Sequence, residues 1–272
     1  MIQLKTEREI ETIARGGAII ADLFQEIGPR IQPGVSTGEL DRFSDEFICS
    51  HQGAAPAFKG LYGFPGSVCT SVNEEVVHGI PSFRRKLKEG DILSIDVGVR
   101  LDGWCSDSAW TFPVGEVDGE TRDLLRVTEE ALYVALEAAV VGNHVGDIGA
   151  AVMARVDGTG YGIIRDLVGH GLGREVHEEP QVPNVGKPGH GPPLKEGMVL
   201  AIEPMLGAGT DQILTLADRW TVATADGARS AHFEHTIALT RDGPQVLTGS
   251  VPDGYRVLPG PVVNPGVGGS PR

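Results

Sequence analysis

Residues 92–113 read Ile92-Leu93-Ser94-Ile95-Asp96-Val97-Gly98-Val99-Arg100-Leu101, then Asp102-Gly103, then Trp104-Cys105-Ser106-Asp107-Ser108-Ala109-Trp110-Thr111-Phe112-Pro113. Two apolar runs flank an Asp-Gly pair, which is a strong signal for a two-residue hairpin. With the turn at Asp102-Gly103, Leu101 faces Trp104, and counting outward pairs Val97 with Ser108, Gly98 with Asp107 and Asp96 with Ala109. Strand side chains alternate, so Asp96 shares a face with Gly98. Asp96 and Asp107 therefore project to the same side as diagonal neighbours. Two carboxylates converging in an apolar hairpin repel each other and lose hydration. Something cationic must compensate them, either a divalent metal ion or a buried arginine.

Working outward, Thr6-Glu7-Arg8-Glu9 has the form of a capping box. Apolar residues then recur at helical spacing from Ile10 through Leu23 to Ile27, and Pro29 stops the helix. A second helix is expected from about Thr37 past Leu40, Phe43 and Phe47 toward Gly53, followed by loop and short strand over 54–79. Beyond the hairpin the order repeats: a long helix over about 120–140, a shorter one near 146–156, then loops and strands to about 248. Gly34-Val35-Ser36-Thr37-Gly38-Glu39-Leu40 can be laid over Gly142-Asn143-His144-Val145-Gly146-Asp147-Ile148. Helix, helix and strands occurring twice predict a pseudo-symmetric α+β pair of halves. Residues 1–250 are expected to form one domain. The Pro/Gly/Val-rich stretch 251–272 lacks periodicity and is expected to be a disordered tail.

Composition narrows the classes of function. An apolar share of 40% suits a globular chain, and no apolar run reaches the roughly 18 residues of a membrane span. The first residues enter a charged amphipathic pattern with no apolar leader. Cys49, Cys69 and Cys105 are an odd, sparse set with no Cys-x-x-Cys pair. They fit a reducing compartment, so a cytoplasmic location is expected. The balance of 23 basic and 37 acidic side chains gives a net charge of -14. Such a surface repels phosphate backbones, which argues against nucleic-acid partners and is compatible with substrates bearing a cationic group.

Three later segments offer further metal-ligating side chains. Gly169-His170-Gly171-Leu172-Gly173 places an imidazole among glycines, where backbone can approach a ligand closely. The plainer reading is a histidine that hydrogen-bonds a turn. Leu200-Ala201-Ile202-Glu203-Pro204 ends an apolar strand with a carboxylate, and Phe233-Glu234-His235-Thr236 carries another in a strand-like run. Acids in such places are commonly solvated. Taken together, four carboxylates and one imidazole form a hard, oxygen-rich set. It suits Mn(II), Fe(II), Co(II) or Zn(II) in a paired site better than a Cys-rich structural zinc site.

The same stretches carry a family resemblance. Cys69-Thr70-Ser71-Val72-Asn73-Glu74 leading to His78-Gly79-Ile80-Pro81, Ser94-Ile95-Asp96-Val97 and Gly169-His170-Gly171-Leu172-Gly173-Arg174 are three of its motifs. His177-Glu178-Glu179-Pro180-Gln181-Val182-Pro183-Asn184, Ile202-Glu203-Pro204-Met205 and Phe233-Glu234-His235-Thr236 complete the set. In this order, over about 4–250, the chain resembles the type I methionine aminopeptidases. The resemblance implies the pseudo-two-fold pita-bread fold, a central antiparallel sheet with helices outside. It implies two divalent ions on Asp96, Asp107, His170, Glu203 and Glu234, with Glu203 also shuttling a proton. His78 and His177 look like the family's two non-ligand histidines, which contact the scissile amide and the oxyanion. The methionine pocket maps onto Phe58, Leu61, Phe64, Cys69, Val176 and Trp220. The implied activity is removal of N-terminal methionine from peptides and nascent proteins by a monomer, with the ribosome as a candidate partner.

Departures from the family pattern shape the alternatives. Ser106 stands before Asp107 where the family commonly has Gly; a serine is tolerable at a strand position, so the metal site is expected to survive. Leu61 replaces a common Tyr and Val176 a common Phe, which leaves the pocket apolar but reshapes it. An aminopeptidase of the same fold with altered first-residue specificity is therefore the second reading. A metal-free binding protein on this fold would be expected to have lost ligands. A mononuclear iron oxygenase needs only two histidines and one carboxylate.

Overall fold

Thr6 caps the first helix, α1 (Glu7–Ile27), through the capping box with Glu9 that the sequence announces. The computed structural model describes residues 1–249, and the tail expected to be disordered lies outside the described residues. The inner face of α1 buries Ile20, Leu23, Phe24 and Ile27 with the hairpin, Phe24 lying 5.8 Å from Phe112, while Ile13 packs with Leu172, Val199 and Leu247. Each such side chain contributes roughly 1.5–3 kcal/mol by leaving water. The second helix, α2 (Thr37–Cys49), ends short of the Gly53 region, and Gly53 has a φ of 82°.

The hairpin strands Ile92–Leu101 and Trp104–Pro113 pair in the register read from the turn, with Leu101 opposite Trp104, Gly98 opposite Asp107 and Asp96 opposite Ala109. Asp102 and Gly103 both have positive φ, 51° and 81°, as a turn matching the twist of the two strands requires. Short strands Ala54–Pro56 and Cys69–Val72 complete this four-stranded antiparallel sheet by pairing with Ile92–Leu101.

The second half repeats the scheme with α3 (Gly119–Ala138) and α4 (Val145–Val156). The overlaid segments match in detail. Glu39 accepts from the Ser36 N–H at 2.8 Å, and Asp147 accepts from the His144 N–H at 2.7 Å. Both N-cap residues also form an isolated antiparallel bridge, Ser36 with Lys86 and His144 with Pro193. A five-stranded antiparallel sheet follows, in the order Gly243–Val246, His235–Thr240, Val199–Ile202, Gly169–Gly171 and Glu178–Val182. Two smaller three-stranded sheets flank these.

The central antiparallel arrangement is thus built in parts, and side chains join them. Along the seam, the Ser108 hydroxyl donates to the Glu234 carbonyl at 2.6 Å, and the Thr236 hydroxyl donates to the Asp107 carbonyl at 2.7 Å. Thr111 donates to the His232 carbonyl at 2.8 Å and accepts from the His232 N–H at 2.9 Å. One backbone bond, Glu234 N–H to the Ala109 carbonyl, runs among them. Residues 107–111 and 232–236 are locked together by this zipper, and it carries two of the candidate ligands. Among the described residues no helix is long and apolar enough to cross a membrane.

Candidate active site

The seam brings the candidate ligands together from distant points of the chain. Asp107, His170 and Glu234 each offer one ligand atom, and these atoms lie within 4.8 Å of one another. Glu203 joins them through Oε1, 3.5 Å from His170 Nε2, and Asp96 stands beside Asp107 on the paired strand. Local sequence explains each placement. Asp96 and Asp107 project from paired strands, and Glu203 follows the end of the buried strand Val199–Ile202. Glu234 lies between Ser230–His232 and His235–Thr240, where regular pairing breaks. The glycines beside His170 have a reason other than the expected one. A Cβ on Gly169 would lie 2.4 Å from the Ala201 carbonyl, and one on Gly171 2.3 Å from the Glu179 carbonyl. Neighbouring strand backbone, not a ligand, requires them.

Ser106 fits for an equally local reason: its hydroxyl donates to the Ile13 carbonyl at 2.6 Å, over Gly16 of α1.

The electrostatics of the cluster suit a cation. Burial raises the Asp96 carboxyl to about 7 and that of Glu203 to about 8. Asp107 and Glu234 are pushed well above the carboxylate range, first by burial and then by the neighbouring acids. Burial also lowers His170 to about 4, keeping its imidazole neutral and its lone pair free for a metal. Among the described residues no arginine or lysine pairs with Asp96 or Asp107, so the buried-arginine alternative falls away. Asp96 Oδ1, Asp107 Oδ1 and Glu234 Oε1 are buried with no hydrogen-bond partner among the described residues. Orphaned carboxylate oxygens in one buried cluster are what a divalent cation would satisfy. The donor set fits the expected metal ions.

Above the cluster opens a cavity of about 250 Å³. Asp96, Asp107, His170, Glu203 and Glu234 line its floor, and Phe58, Leu61, Phe64, Cys69 and Trp220 line its wall. Burial raises the Cys69 thiol well above its ordinary range and Cys105 to about 12, so neither is a poised thiolate. His78 and His177 also line the cavity. His78 has a left-handed backbone, φ 59°, and stands edge-on to Trp220 at 6.5 Å. Such strain in a non-glycine residue persists only where the surroundings enforce it. Burial lowers His78 to about 4 and, more mildly, lowers His177, whose ring meets His170 edge-on at 4.6 Å.

Comparison with known proteins agrees with this geometry. Metallopeptidase family M24 matches residues 11–241. Methionine aminopeptidase 1 of Bacillus subtilis is 51% identical over 91% of this chain and 99% of its own length. The Escherichia coli K12 methionine aminopeptidase is 43% identical over 91% and 94%. The chain belongs to the methionine aminopeptidases of family M24. The crystal structure of the Thermotoga maritima methionine aminopeptidase superposes with a TM-score of 0.90 at 43% identity, covering 92% of this chain and all of that one. Prolidase from Pyrococcus furiosus, 24% identical with a TM-score of 0.73, shares the fold alone. The pita-bread architecture expected of a methionine aminopeptidase is therefore the observed one.

Within this methionine aminopeptidase scaffold, the structure separates one residue from the expected pocket. Val176 does not line the cavity; it is buried behind the wall with Ala57, Phe58, Phe64, Cys69 and Cys105. Other residues line the cavity that sequence reading missed: Tyr62, Val77, Leu167, Val168 and Met205. Met205 and Leu167 are each within three residues of a candidate ligand, which is the signal that could have found them. Tyr62 lies in a short turn with φ 51°, its ring parallel to His177 at 6.0 Å, and nothing in the local pattern announces it. His232 was missed as well. Its Nε2 lies 3.6 Å from Glu203 Oε2 and 4.0 Å from Glu234 Oε2. Its two-residue offset from Glu234 in a strand-like run would have placed both on one face.

Proposed function

We propose that this chain removes the N-terminal methionine from peptides and nascent proteins, using two divalent ions held by Asp96, Asp107, His170, Glu203 and Glu234. The single observation behind this reading is the juxtaposition of orphaned carboxylate oxygens with an apolar cavity lined by two further histidines. When bound, the ions supply Lewis acidity and lower the pKa of the attacking water. The remaining work falls to side chains. The wall of Phe58, Leu61, Phe64, Cys69 and Trp220 takes an unbranched thioether chain, which adapts to irregular apolar space. The acidic floor receives the substrate's free α-amine and closes the cavity beyond it, so cleavage follows the first residue. Glu203, which lines the cavity, carries the proton from nucleophile to leaving amine. His78 and His177 donate to the scissile amide and to the oxyanion that develops on it.

The metal identity expected is Mn, Fe, Co or Zn, since the donor set admits each. Action as a monomer is what the family resemblance implies. Three free cysteines fit the cytoplasm, where nascent N-termini would be met at the ribosome. A second reading keeps the chemistry but broadens the first residue. Leu61 in the wall and Val176 behind it favour that reading, because both are smaller than an aromatic ring.

The test is a panel of short peptides differing only in the first residue, assayed with Mn(II), Co(II) and Fe(II). Release of methionine well above all other residues is expected. Comparable release of leucine or phenylalanine selects the second reading, and no release with any ion rejects both.

A further inference from the structure

The two oxygens of Glu203 face two different imidazoles. Oε1 lies 3.5 Å from His170 Nε2, and Oε2 lies 3.6 Å from His232 Nε2. The two histidines are otherwise unlike. His170 lines the cavity, and its Nδ1 is 2.9 Å from the Gly171 carbonyl, leaving Nε2 directed at the carboxylates. That is the arrangement of a metal-binding imidazole, whose second nitrogen donates to a fixed acceptor. His232 has no such support. Its side chain is 2% exposed, it does not line the cavity, and neither ring nitrogen has a hydrogen-bond partner among the described residues.

A buried imidazole with both nitrogens unpaired is costly, and an apolar side chain would fill the same space without that cost. His232 is also held firmly: its N–H and carbonyl are both bonded to Thr111 Oγ1 in the seam. The held backbone sets the ring beside Glu203, where it can act on that carboxylate. We propose that His232 is a positioning residue of the metal centre, donating from Nε2–H to Glu203 Oε2 and so fixing Oε1 toward the metals and the water. A small rotation of either side chain closes 3.6 Å to hydrogen-bond length. This assignment rests on the aminopeptidase reading above and extends it to a side chain outside the five ligands.

The experiment compares His232→Leu, which removes the donor, with His232→Gln, which keeps an N–H of similar reach. Metal-free protein is titrated with Co(II), and binding isotherm, visible absorption spectrum, thermal midpoint of the metal-free form and peptide kinetics are recorded. His232→Leu should weaken Co(II) binding at one or both sites by about tenfold or more. It should also change the Co(II) spectrum and lower kcat more than it changes KM, while the metal-free midpoint holds or rises. His232→Gln should recover affinity and spectrum. If His232→Leu does not fold, His232→Asn replaces it, since its shorter amide stops short of Glu203. Wild-type affinity and spectrum in the donor-free variant would overturn the assignment, and so would equal impairment in His232→Gln. A wild-type chain that binds no Co(II) overturns both this and the aminopeptidase reading. One that binds two ions yet leaves methionyl peptides intact overturns only the latter, and the variants' spectra then decide the role of His232.

Discussion

The cavity floor holds four carboxylates with His170 at hand and His232 behind, whereas its wall is Phe58, Leu61, Phe64, Cys69 and Trp220. The floor is unfavourable as it stands: its acids are desolvated and repel one another, and burial raises all four above their ordinary values. It is kept in place by strand register and by the Ser/Thr zipper between residues 107–111 and 232–236. The wall is favourable by itself, a cluster of side chains that would pack in much the same way with many different apolar residues. The difference teaches where each kind of information resides. Chemistry fixes the floor residue by residue, while the wall fixes only a volume. Substitutions in the floor should therefore be all-or-none in activity, and substitutions in the wall should be graded.

The largest effect expected is at Asp107. Asp107→Asn removes a proposed ligand and a repelling charge together. Cleavage of a methionyl peptide should fall about 1000-fold, the equivalent of about 4 kcal/mol in the barrier. The metal-free variant should at the same time unfold at a higher temperature than metal-free wild type, because one desolvated acid is gone. Calorimetry without metal and kinetics with it measure the two. A lower midpoint would show that the floor is not strained.

His177→Ala probes the boundary between floor and wall. It should lower kcat by about 100-fold while metal content stays intact, the signature of a lost contact to substrate. Metal analysis beside the kinetics decides it, since loss of the ions would move His177 into the ligand set.

A graded effect is expected at Val176→Phe. Val176 is 1% exposed and packed behind Phe58 and Cys69, so a ring there must press the wall inward. The ratio of kcat/KM for Met- over Leu-initiated peptides should rise up to about tenfold, within the range one pocket wall can supply. Overpacking should cost about 1–3 kcal/mol of stability, read from urea unfolding. An unchanged ratio would place first-residue selection elsewhere in the wall. The smallest effect belongs to the chain end. Every ligand and lining residue lies within 58–234, so a chain ending at Gly249 should keep both metal affinity and kcat within about twofold. A large loss would show that the tail contributes to the catalytic body.

The same contrast governs what was legible in the sequence. Asp102-Gly103 fixed the register of the hairpin, so the convergence of Asp96 and Asp107 could be counted out before any coordinates. The overlay of 34–40 on 142–148 marked equivalent positions in the two halves, and the capping boxes at Ser36 and His144 are its physical basis, because a helix start needs the same few groups wherever it occurs. His170 was legible as a candidate, but the role of its glycines was not. The carbonyls that exclude a Cβ there, from Ala201 and Glu179, are tertiary neighbours. The joining of the sheet's parts was illegible for a related reason, since hydroxyl-to-carbonyl bonds leave no periodicity. Tyr62 depends on an irregular turn, and Val176 on which side of a cluster faces the void, and neither is a local property of the chain.

The most direct measurement of the central claim is titration of verified metal-free protein with Mn(II) or Co(II) while methionine release from a short peptide is followed. No turnover is expected without metal, with activity restored by the added ion and about two ions bound per chain at saturation. Undiminished turnover in the metal-free protein would contradict the claim.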